Sequence, residues 1–176
     1  MNDQLILKFP SNNAFKKEDF YVSHSNVEAY NLIDSWPKWL KRTINIFGPS
    51  ASGKSHLVSI FKSKTSYLEV RPENLNEETF FKFKTKESLI IENFDGNITE
   101  ELLFLILNTA LQDNKYLLIT SKKPINTYQF KLRDLASRIN SCLIIGIKLP
   151  SDDLISVILS KSFSDRQIKV KKKHID

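Results

Sequence analysis

The chain alternates short β-rich runs with segments of helical periodicity, and this alternation predicts a parallel sheet covered by helices on both faces. Five apolar runs predict the strands. They cover Thr43–Phe47, Tyr67–Val70, residues 88–92, Tyr116–Ser121 and residues 143–149. Helical patterns precede, separate and follow these runs, at residues 25–36, Lys54–Lys62, residues 76–83, 99–113, 132–140 and 151–163. The predicted fold is a five-stranded α/β domain.

The sequence predicts where the first helix begins and ends, and how the long helix at residues 99–113 is capped and buried. Ser25 and Glu28 have the spacing of a capping box, and Pro37 ends the helix that they begin. Thr99 is the expected cap of the long helix. Residues 102–107 of that helix, LLFLIL, are apolar nearly all round, so we expect them to be buried.

Composition and charge narrow the class of protein. The 176 residues are enough for one domain with a core, and 41% hydrophobic with 26% charged residues is near the globular average. A net charge of +6 favours acidic partners such as nucleotides, nucleic acid or an acidic protein face. With one cysteine, Cys142, no signal-peptide pattern and no apolar run that could span a bilayer, we expect a cytoplasmic protein without a membrane partner.

Residues 48–55, GPSASGKS, match the pattern G-x-x-x-x-G-K-[ST] of a phosphate-binding loop. The glycines let the backbone turn its N–H groups towards phosphate oxygens, and the helix that follows directs its positive end to the same place. Lys54 is expected to reach the β- and γ-phosphates, and Ser55 to ligate Mg²⁺. The predicted nucleotide-binding residues are Gly48, Pro49, Ser50, Ala51, Ser52, Gly53, Lys54, Ser55 and His56.

The second acidic element of such a site is expected at the end of a neighbouring strand. Glu92 follows the apolar run of the third strand and is the predicted Mg²⁺ ligand, with an ordinary surface acid as the alternative. Asn93 stands where many ATPases carry a carboxylate that orients the attacking water. An amide cannot act as a base, which argues against efficient ATP turnover by this chain alone.

Two further segments have both a plain and a functional interpretation. Asp134 and Arg138 are four residues apart on a predicted helix, which indicates a surface ion pair or, alternatively, an arginine offered to a partner's nucleotide. The amino-terminal run QLILKF would expose Leu5, Leu7 and Phe9 unless they fold back onto the domain or bind a partner.

Taken together, these motifs resemble the DnaA family of AAA+ ATPases, and within it the Hda-like regulatory branch. The resemblance rests on four strings that together span almost the whole chain. They are FYVSHSNVEAY at residues 20–30, GKSHL at 53–57, LRDLASRI at 132–139 and QLILKF at 4–9. DnaA carries further domains on both sides of its ATPase core, for which this chain has no room, so the shorter regulatory branch is the expected relative.

The resemblance implies a P-loop AAA+ core over residues 20–149, an extended tail over 1–19 and the start of a helical lid over 150–176. It implies ADP or ATP with Mg²⁺ as cofactors and Arg138 as a finger acting on ATP held by DnaA. Gln4, Leu5, Leu7 and Phe9 would bind the DNA polymerase III sliding clamp, with DNA reached through the clamp. A homo-oligomer is a further partner to consider.

Three departures from the family pattern qualify this expectation. Ala51 stands where glycine is frequent, Asn93 stands where an acid is usual, and the chain ends at Asp176, before the lid arginine of the family. The alternatives are an autonomous DnaA-like or helicase-loader ATPase, and a DNA-binding initiator fragment. Turnover by the isolated chain would indicate the first, and salt-dependent DNA binding the second.

Overall fold

A computed structural model describes residues 17–151, 155, 156 and 160, and it contains a single five-stranded sheet between two layers of helices. The strands are β1 (Thr43–Phe47), β2 (Tyr67–Val70), β3 (Ser88–Phe94), β4 (Tyr116–Ser121) and β5 (Leu143–Gly146). They are hydrogen-bonded in the order β2-β3-β4-β1-β5, and every pair is parallel. The predicted α/β fold is therefore confirmed.

Parallel neighbours need crossover connections, and helices supply them. The helices are α1 (Val27–Asp34), α2 (Lys54–Lys62), α3 (Glu77–Lys84), α4 (Glu100–Gln112) and α5 (Arg133–Asn140), with 3₁₀ turns at Lys17–Asp19, Pro72–Asn74 and Ile125–Thr127. Helices α1 and α2 cover one face of the sheet, while α3, α4 and α5 cover the other. Of the predicted last helix, residues 151–163, only Ser151, Ile155, Ser156 and Ser160 are described; Ser151 is not helical and the other three are.

Each face of the sheet has its own apolar core. Alternate residues of the central strands point to opposite faces, so Leu117 and Ile119 join one core while Leu118 joins the other. On the α1–α2 face, Phe61 stacks on Trp39 with ring centroids 4.9 Å apart. Both faces of the strands are covered, which explains why β3 and β4 are apolar along nearly their whole length.

The start of α1 differs from the expectation. Helix α1 begins at Val27, and Asn26 occupies the cap position. The Asn26 side chain turns back, accepting the Ser23 N–H at 2.8 Å and donating to the Tyr21 carbonyl at 2.9 Å. The Ser25–Glu28 capping box is therefore wrong, because the asparagine holds the preceding turn in place.

The segment before α1 is also more ordered than an extended tail. Lys17–Asp19 forms a 3₁₀ turn, and the Lys17 ammonium bonds Asp34 at 2.6 Å. Asp34 also accepts Lys64 at 2.8 Å, so one carboxylate ties this turn to both α1 and the end of α2. Residues 1–16, including the predicted clamp-binding residues Gln4, Leu5, Leu7 and Phe9, lie outside the described residues.

Helix α4 is less buried than its apolar run predicts. Leu103, Ile106 and Leu107 lie in the core, but Leu105 is 43% exposed, because the helix covers the sheet with one side only. Thr99 is the residue before the first turn, as expected, although its side chain makes no capping bond. Strand β5 ends at Gly146, three residues earlier than predicted.

A buried amide lies in the middle of β1. Asn45 donates to the Ile119 carbonyl at 3.1 Å and to the Ser121 hydroxyl at 2.9 Å, and it accepts the Ile125 N–H at 2.9 Å. The side chain is completely buried, so these three bonds satisfy its polar atoms. They fix the carboxyl end of β4 and the turn after it against β1.

Candidate phosphate-binding site

The loop between β1 and α2 has the backbone geometry that its glycines predict. Gly53 has φ of 97°, a left-handed conformation that suits glycine, and it directly precedes Lys54 at the start of α2. A Cβ on Gly48 would lie 2.6 Å from the Ile147 carbonyl oxygen, so no side chain fits there. The loop therefore leaves the carboxyl end of β1, passes β5 closely and presents the amino end of α2.

Lys54 lies over the loop and is 8% exposed. Its ammonium donates to the carbonyls of Gly48 at 2.8 Å and Pro49 at 2.6 Å, and to the Ser52 hydroxyl at 3.4 Å. Burial lowers the pKa of Lys54, and the charge of Lys122 lowers it further. Among the described residues no carboxylate pairs with Lys54, so this cation is available to an anion at the loop.

Lys122 is a functional candidate that sequence reasoning missed. It follows β4, and β4 lies beside β1 in the sheet, which brings this exposed lysine near Lys54. Two like charges at one loop disfavour each other and favour a bound anion. The available signal was the pair Lys122-Lys123 directly after an apolar strand, but its relevance depends on the order of the strands.

The remaining predicted loop residues line the same turn. Ser52 is buried, whereas Pro49, Ser50 and Ala51 are exposed at the tip. Ala51 has φ of 60°, a left-handed conformation in a residue with a Cβ. Glycine adopts this conformation without cost, so alanine carries some backbone strain here.

The structure brings the predicted metal ligands together. Ser55 lies in the first turn of α2 and Glu92 lies near the end of β3, and the hydroxyl of the serine is 3.5 Å from Oε2 of the glutamate. Mg²⁺ takes hard oxygen ligands and usually binds through one or two protein groups plus phosphates and water, so this pair fits the ion. No group of three or more His, Cys, Asp or Glu in the described part of the chain could hold a metal.

Glu92 is half-buried between two charged neighbours. Its Oε1 lies 3.6 Å from the Lys62 ammonium, and Lys62 also pairs with Glu69. Burial raises the pKa of Glu92, a hydrogen bond with Glu69 raises it further, and the charge of Lys62 opposes the rise. A carboxylate in this setting gains from a cation placed next to it.

Asn93 is exposed and has φ of 59°. Its N–H donates to the Thr120 hydroxyl at 3.0 Å, which joins the ends of β3 and β4. The left-handed conformation is one that asparagine tolerates better than most residues. The side chain offers an amide and no base at this position, as expected from the sequence.

A cavity of about 130 Å³ opens beside the loop, between the segment that precedes α1 and the start of α2. Phe20 forms its aromatic wall, stacked on Tyr30 at 5.5 Å and meeting the His56 ring edge-on at 5.0 Å. The cavity also touches Ala51 and Gly53 of the phosphate loop. A flat aromatic wall next to a phosphate loop suits a nucleotide base.

Arg138 lies far from this site. It is exposed near the end of α5, which leads to the amino end of β5, whereas the phosphate loop lies at the carboxyl end of β1. Five residues of β1 separate the two ends, roughly 15 Å of strand. The Asp134–Arg138 ion pair is not formed, whereas Glu78 and Lys82 of α3 do form an i,i+4 pair.

No protein-family model matches the chain. Two curated relatives are chromosomal replication initiator proteins DnaA: that of Borreliella afzelii (strain PKo) is 28% identical over 182 residues, and that of Spiroplasma citri is 29% identical over 176. The alignments cover 88% and 82% of this chain, but only 37% and 38% of the two relatives. The chain thus spans less than two-fifths of the length of the DnaA proteins it resembles.

Solved structures agree at the level of the fold. Domain III of the Thermotoga maritima replication initiation protein DnaA has a TM-score of 0.75 at 19% identity, covering 95% of this chain and 80% of that one. The chain has the AAA+ fold of DnaA domain III. AMPPCP-bound DnaA from Aquifex aeolicus has a TM-score of 0.75 at 18% identity, covering 94% of this chain and 59% of that one.

Of the predicted lid only Pro150, Ser151, Ile155, Ser156 and Ser160 are described, so the lid is represented in part. No helix in the described residues is both long and apolar enough to cross a membrane.

Proposed function

We propose that this chain is a nucleotide-binding AAA+ regulator of DNA replication initiation that acts on a nucleotide held by a partner. The observation that carries the proposal is the position of Arg138, which is exposed and has no ion-pair partner among the described residues. It lies at the end of the sheet opposite the chain's own phosphate loop. An arginine placed there serves a neighbouring subunit, where it stabilises charge developing on a transferred phosphoryl group.

The partner that we propose is DnaA, because the relatives with detectable sequence similarity are DnaA proteins. AAA+ subunits of one fold associate so that an arginine of one approaches the nucleotide of the next. Arg138 would therefore promote hydrolysis of ATP bound to DnaA, and initiation by that DnaA molecule would end.

The chain's own loop would hold ADP or ATP with Mg²⁺. Lys54 and the loop amides would bind the phosphates, Ser55 and Glu92 would ligate the metal, and the wall formed by Phe20 would take the base. The AMPPCP-bound DnaA of the same fold supports this assignment. Because Asn93 offers no base, we propose that intrinsic ATPase activity is weak or absent.

Lys54→Ala tests the nucleotide site. A ligand at 100 times its Kd stabilises the native state by about 2.7 kcal/mol, and this shift should vanish in the variant. The measurement is the thermal unfolding midpoint with and without ATP and Mg²⁺. Lys64→Ala, on the loop after α2, is the control and should keep the shift. A shift of the same size in Lys54→Ala would rule out the phosphate loop.

The amino-terminal tail would dock on the sliding clamp through Gln4, Leu5, Leu7 and Phe9, so that DNA is reached through the clamp. Replacing Leu5, Leu7 and Phe9 with alanine removes the apolar anchors of this motif. Clamp binding, measured by surface plasmon resonance, should be lost while the unfolding midpoint stays unchanged. Clamp binding that survives all three substitutions would contradict the docking proposal.

Arg138→Ala tests the regulatory activity. A finger supplied by a partner is worth about 10³–10⁵ in rate, so the variant should lose nearly all stimulation of DnaA while keeping its own nucleotide affinity. Arg138→Lys should also fail, since lysine lacks the planar fork of the guanidinium. Arg133→Ala, an exposed arginine of the same helix, is the control. The measurement is DnaA-bound ATP remaining over time with DNA-loaded clamp, and equal decay with wild type and Arg138→Ala would refute the proposal.

The same preparations separate the alternatives. ATP turnover by the isolated chain would favour an autonomous DnaA-like or helicase-loader ATPase. Direct DNA binding that weakens steeply with salt would favour an initiator fragment. Under our proposal, both signals are weak and the stimulation of DnaA is strong.

A further inference from the structure

The two carboxylate oxygens of Glu92 have different neighbours. Oε2 lies 3.5 Å from the Ser55 hydroxyl, whereas Oε1 lies 3.6 Å from the Lys62 ammonium. Ser55 and Lys62 are seven residues apart in α2, which places them on the same side of the helix, about two turns from each other. Long side chains in a helix extend back towards its amino end, so the lysine can reach the carboxylate that also contacts the serine. One oxygen of Glu92 thus belongs to the proposed metal site and the other to a lysine.

Lys62 has a second acceptor, Glu69 of the edge strand β2. Its ammonium lies 2.5 Å from Oε1 of Glu69, closer than to Glu92. Strand β2 pairs with β3 so that Glu69 lies opposite Ile90, two residues before Glu92. Alternate residues of a strand point to the same face, which explains why the two acids meet there. The lysine therefore bridges two carboxylates from neighbouring strands.

This cluster of one lysine and two acids is shielded from water to a large extent. The side chain of Glu92 is 14% exposed and that of Lys62 is 23% exposed. Charges in such a setting are screened less than surface charges, so each of them changes the affinity of its neighbours for an ion. A metal ion at Ser55 and Glu92 would share its carboxylate with the ammonium, and the two cations would repel each other.

We infer that Lys62 competes with Mg²⁺ for Glu92 and thereby sets the metal affinity of the nucleotide site. That a metal binds at Ser55 and Glu92 rests on the proposed function. In the absence of metal, Lys62 neutralises Glu92; in its presence, Glu69 is the acceptor that keeps the lysine paired. A lysine that helped to build the metal site would act in the opposite direction, because its removal would weaken metal binding.

The experiment is a titration of the full chain and saturating ADP with Mn²⁺, which takes the same oxygen ligands as Mg²⁺ and is followed by electron paramagnetic resonance. Binding by ADP alone is subtracted. Lys62→Gln should tighten Mn²⁺ binding roughly tenfold, the size of one charge a few ångströms from the ion near a protein surface. Lys62→Arg, which keeps the charge, should bind like wild type. Lys64→Gln removes the same charge where it pairs with Asp34, and it should change nothing.

Unchanged or weaker Mn²⁺ binding by Lys62→Gln would overturn the inference. A second pair of variants decides the matter if the two acids, left without their lysine, prevent this variant from folding. Glu69→Gln leaves Glu92 as the only acceptor of the lysine in the cluster and should weaken Mn²⁺ binding roughly tenfold. Adding Lys62→Gln to Glu69→Gln should reverse that loss. A double variant that binds no more tightly than Glu69→Gln would show that the lysine does not compete.

The same titration separates this inference from the proposed function. If wild type binds Mn²⁺ and Lys62→Gln binds it equally well, only the competition is refuted. If neither wild type nor any variant binds Mn²⁺ beyond what ADP itself binds, Glu92 is not a metal ligand, and the inference and the metal assignment both fail. Stimulation of DnaA through Arg138 is measured independently of either result.

Discussion

The hydroxyl of Ser55 lies 3.5 Å from Oε2 of Glu92, although the two residues are 37 positions apart in the chain. Ser55 belongs to the first turn of α2 and Glu92 to the end of β3, and β3 is not a neighbour of β1 in the sheet. Strand β4 separates them, so the glutamate reaches the serine across the carboxyl ends of three strands. This contact unites the two halves of the predicted metal site.

Glu92→Gln should weaken nucleotide binding in the presence of Mg²⁺ more than in its absence. An amide is a poorer ligand for this hard cation than a carboxylate, and we expect a loss of roughly 10–100-fold, as for other changes at metal ligands and their supports. Isothermal titration with and without EDTA measures both affinities. Glu87→Gln, just before the other end of β3, is the control, and equal losses under both conditions would make Glu92 a structural residue.

Ala51→Gly should stabilise the protein. A left-handed alanine costs about 1–2 kcal/mol, and the extra freedom of glycine in the unfolded chain offsets part of the gain, so the free energy of unfolding should rise by about 0.5–1 kcal/mol. Urea unfolding measures the change. Ala136→Gly, inside α5, should instead destabilise by about 1 kcal/mol. A loss of stability at both positions would contradict the strain at Ala51.

Glu100→Ala should loosen the helix that carries Arg138. Helix α5 has no capping bond from its own preceding residue; instead, the Glu100 carboxylate accepts the N–H groups of Lys131 at 3.0 Å and Leu132 at 2.8 Å. These bonds hold the pKa of Glu100 below its usual value. The variant should show faster hydrogen exchange in α5 and reduced stimulation of DnaA, with nucleotide affinity unchanged. Glu101→Ala, one residue further along α4, is the control that should show neither effect.

Asp34→Asn should give a pH-dependent loss of stability. Hydrogen bonds from Lys17 and then Lys64 lower the pKa of Asp34 from 3.8 to about 2. Because the folded pKa lies below the unfolded one, the stabilisation is complete above about pH 5 and is lost as the pH falls towards 2. The carboxylate is 40% exposed, so we expect less than about 1 kcal/mol at pH 7. Urea unfolding of wild type and variant across this pH range measures the loss, and Asp113→Asn is the control. A difference in the free energy of unfolding that stays the same at all pH values would show that the charge of Asp34 is not its cause.

The sequence allowed the strands and the phosphate loop to be predicted closely, because an apolar run that ends in a glycine-rich turn has few other structures open to it. Strands β1, β2 and β4 and helix α2 were predicted at their observed bounds. The start of α1 was not, because Ser25 and Asn26 are both good cap residues and only the contacts of the Asn26 side chain decide between them. The exposure of Leu105 likewise depends on which side of α4 packs against the sheet, and an all-round apolar run does not say which side that is.

The site was predictable in part, for a topological reason. We predicted Lys54, Ser55 and Glu92 from the sequence because each lies in a motif that is continuous along the chain, either the glycine-rich loop or the end of an apolar strand. Lys122 was missed, because it becomes relevant only through the strand order β2-β3-β4-β1-β5, which places β4 beside β1. Periodicity predicts that strands exist and that they are parallel, but it does not say which of them are neighbours.

The amide of Asn45 has a consequence for how the sheet assembles. Its strand neighbours Thr43, Ile44, Ile46 and Phe47 all favour β structure, so sliding β1 by two residues along β4 would bury a similar amount of apolar surface. Only the native alignment gives the amide its three partners, and a buried amide without them costs about 1–3 kcal/mol. Asn45 thus makes the native alignment of β1 more stable than alignments shifted by two residues, which would otherwise have similar free energies. We expect Asn45→Val to allow such shifted alignments to form during refolding and to slow it, even if the native sheet tolerates the valine.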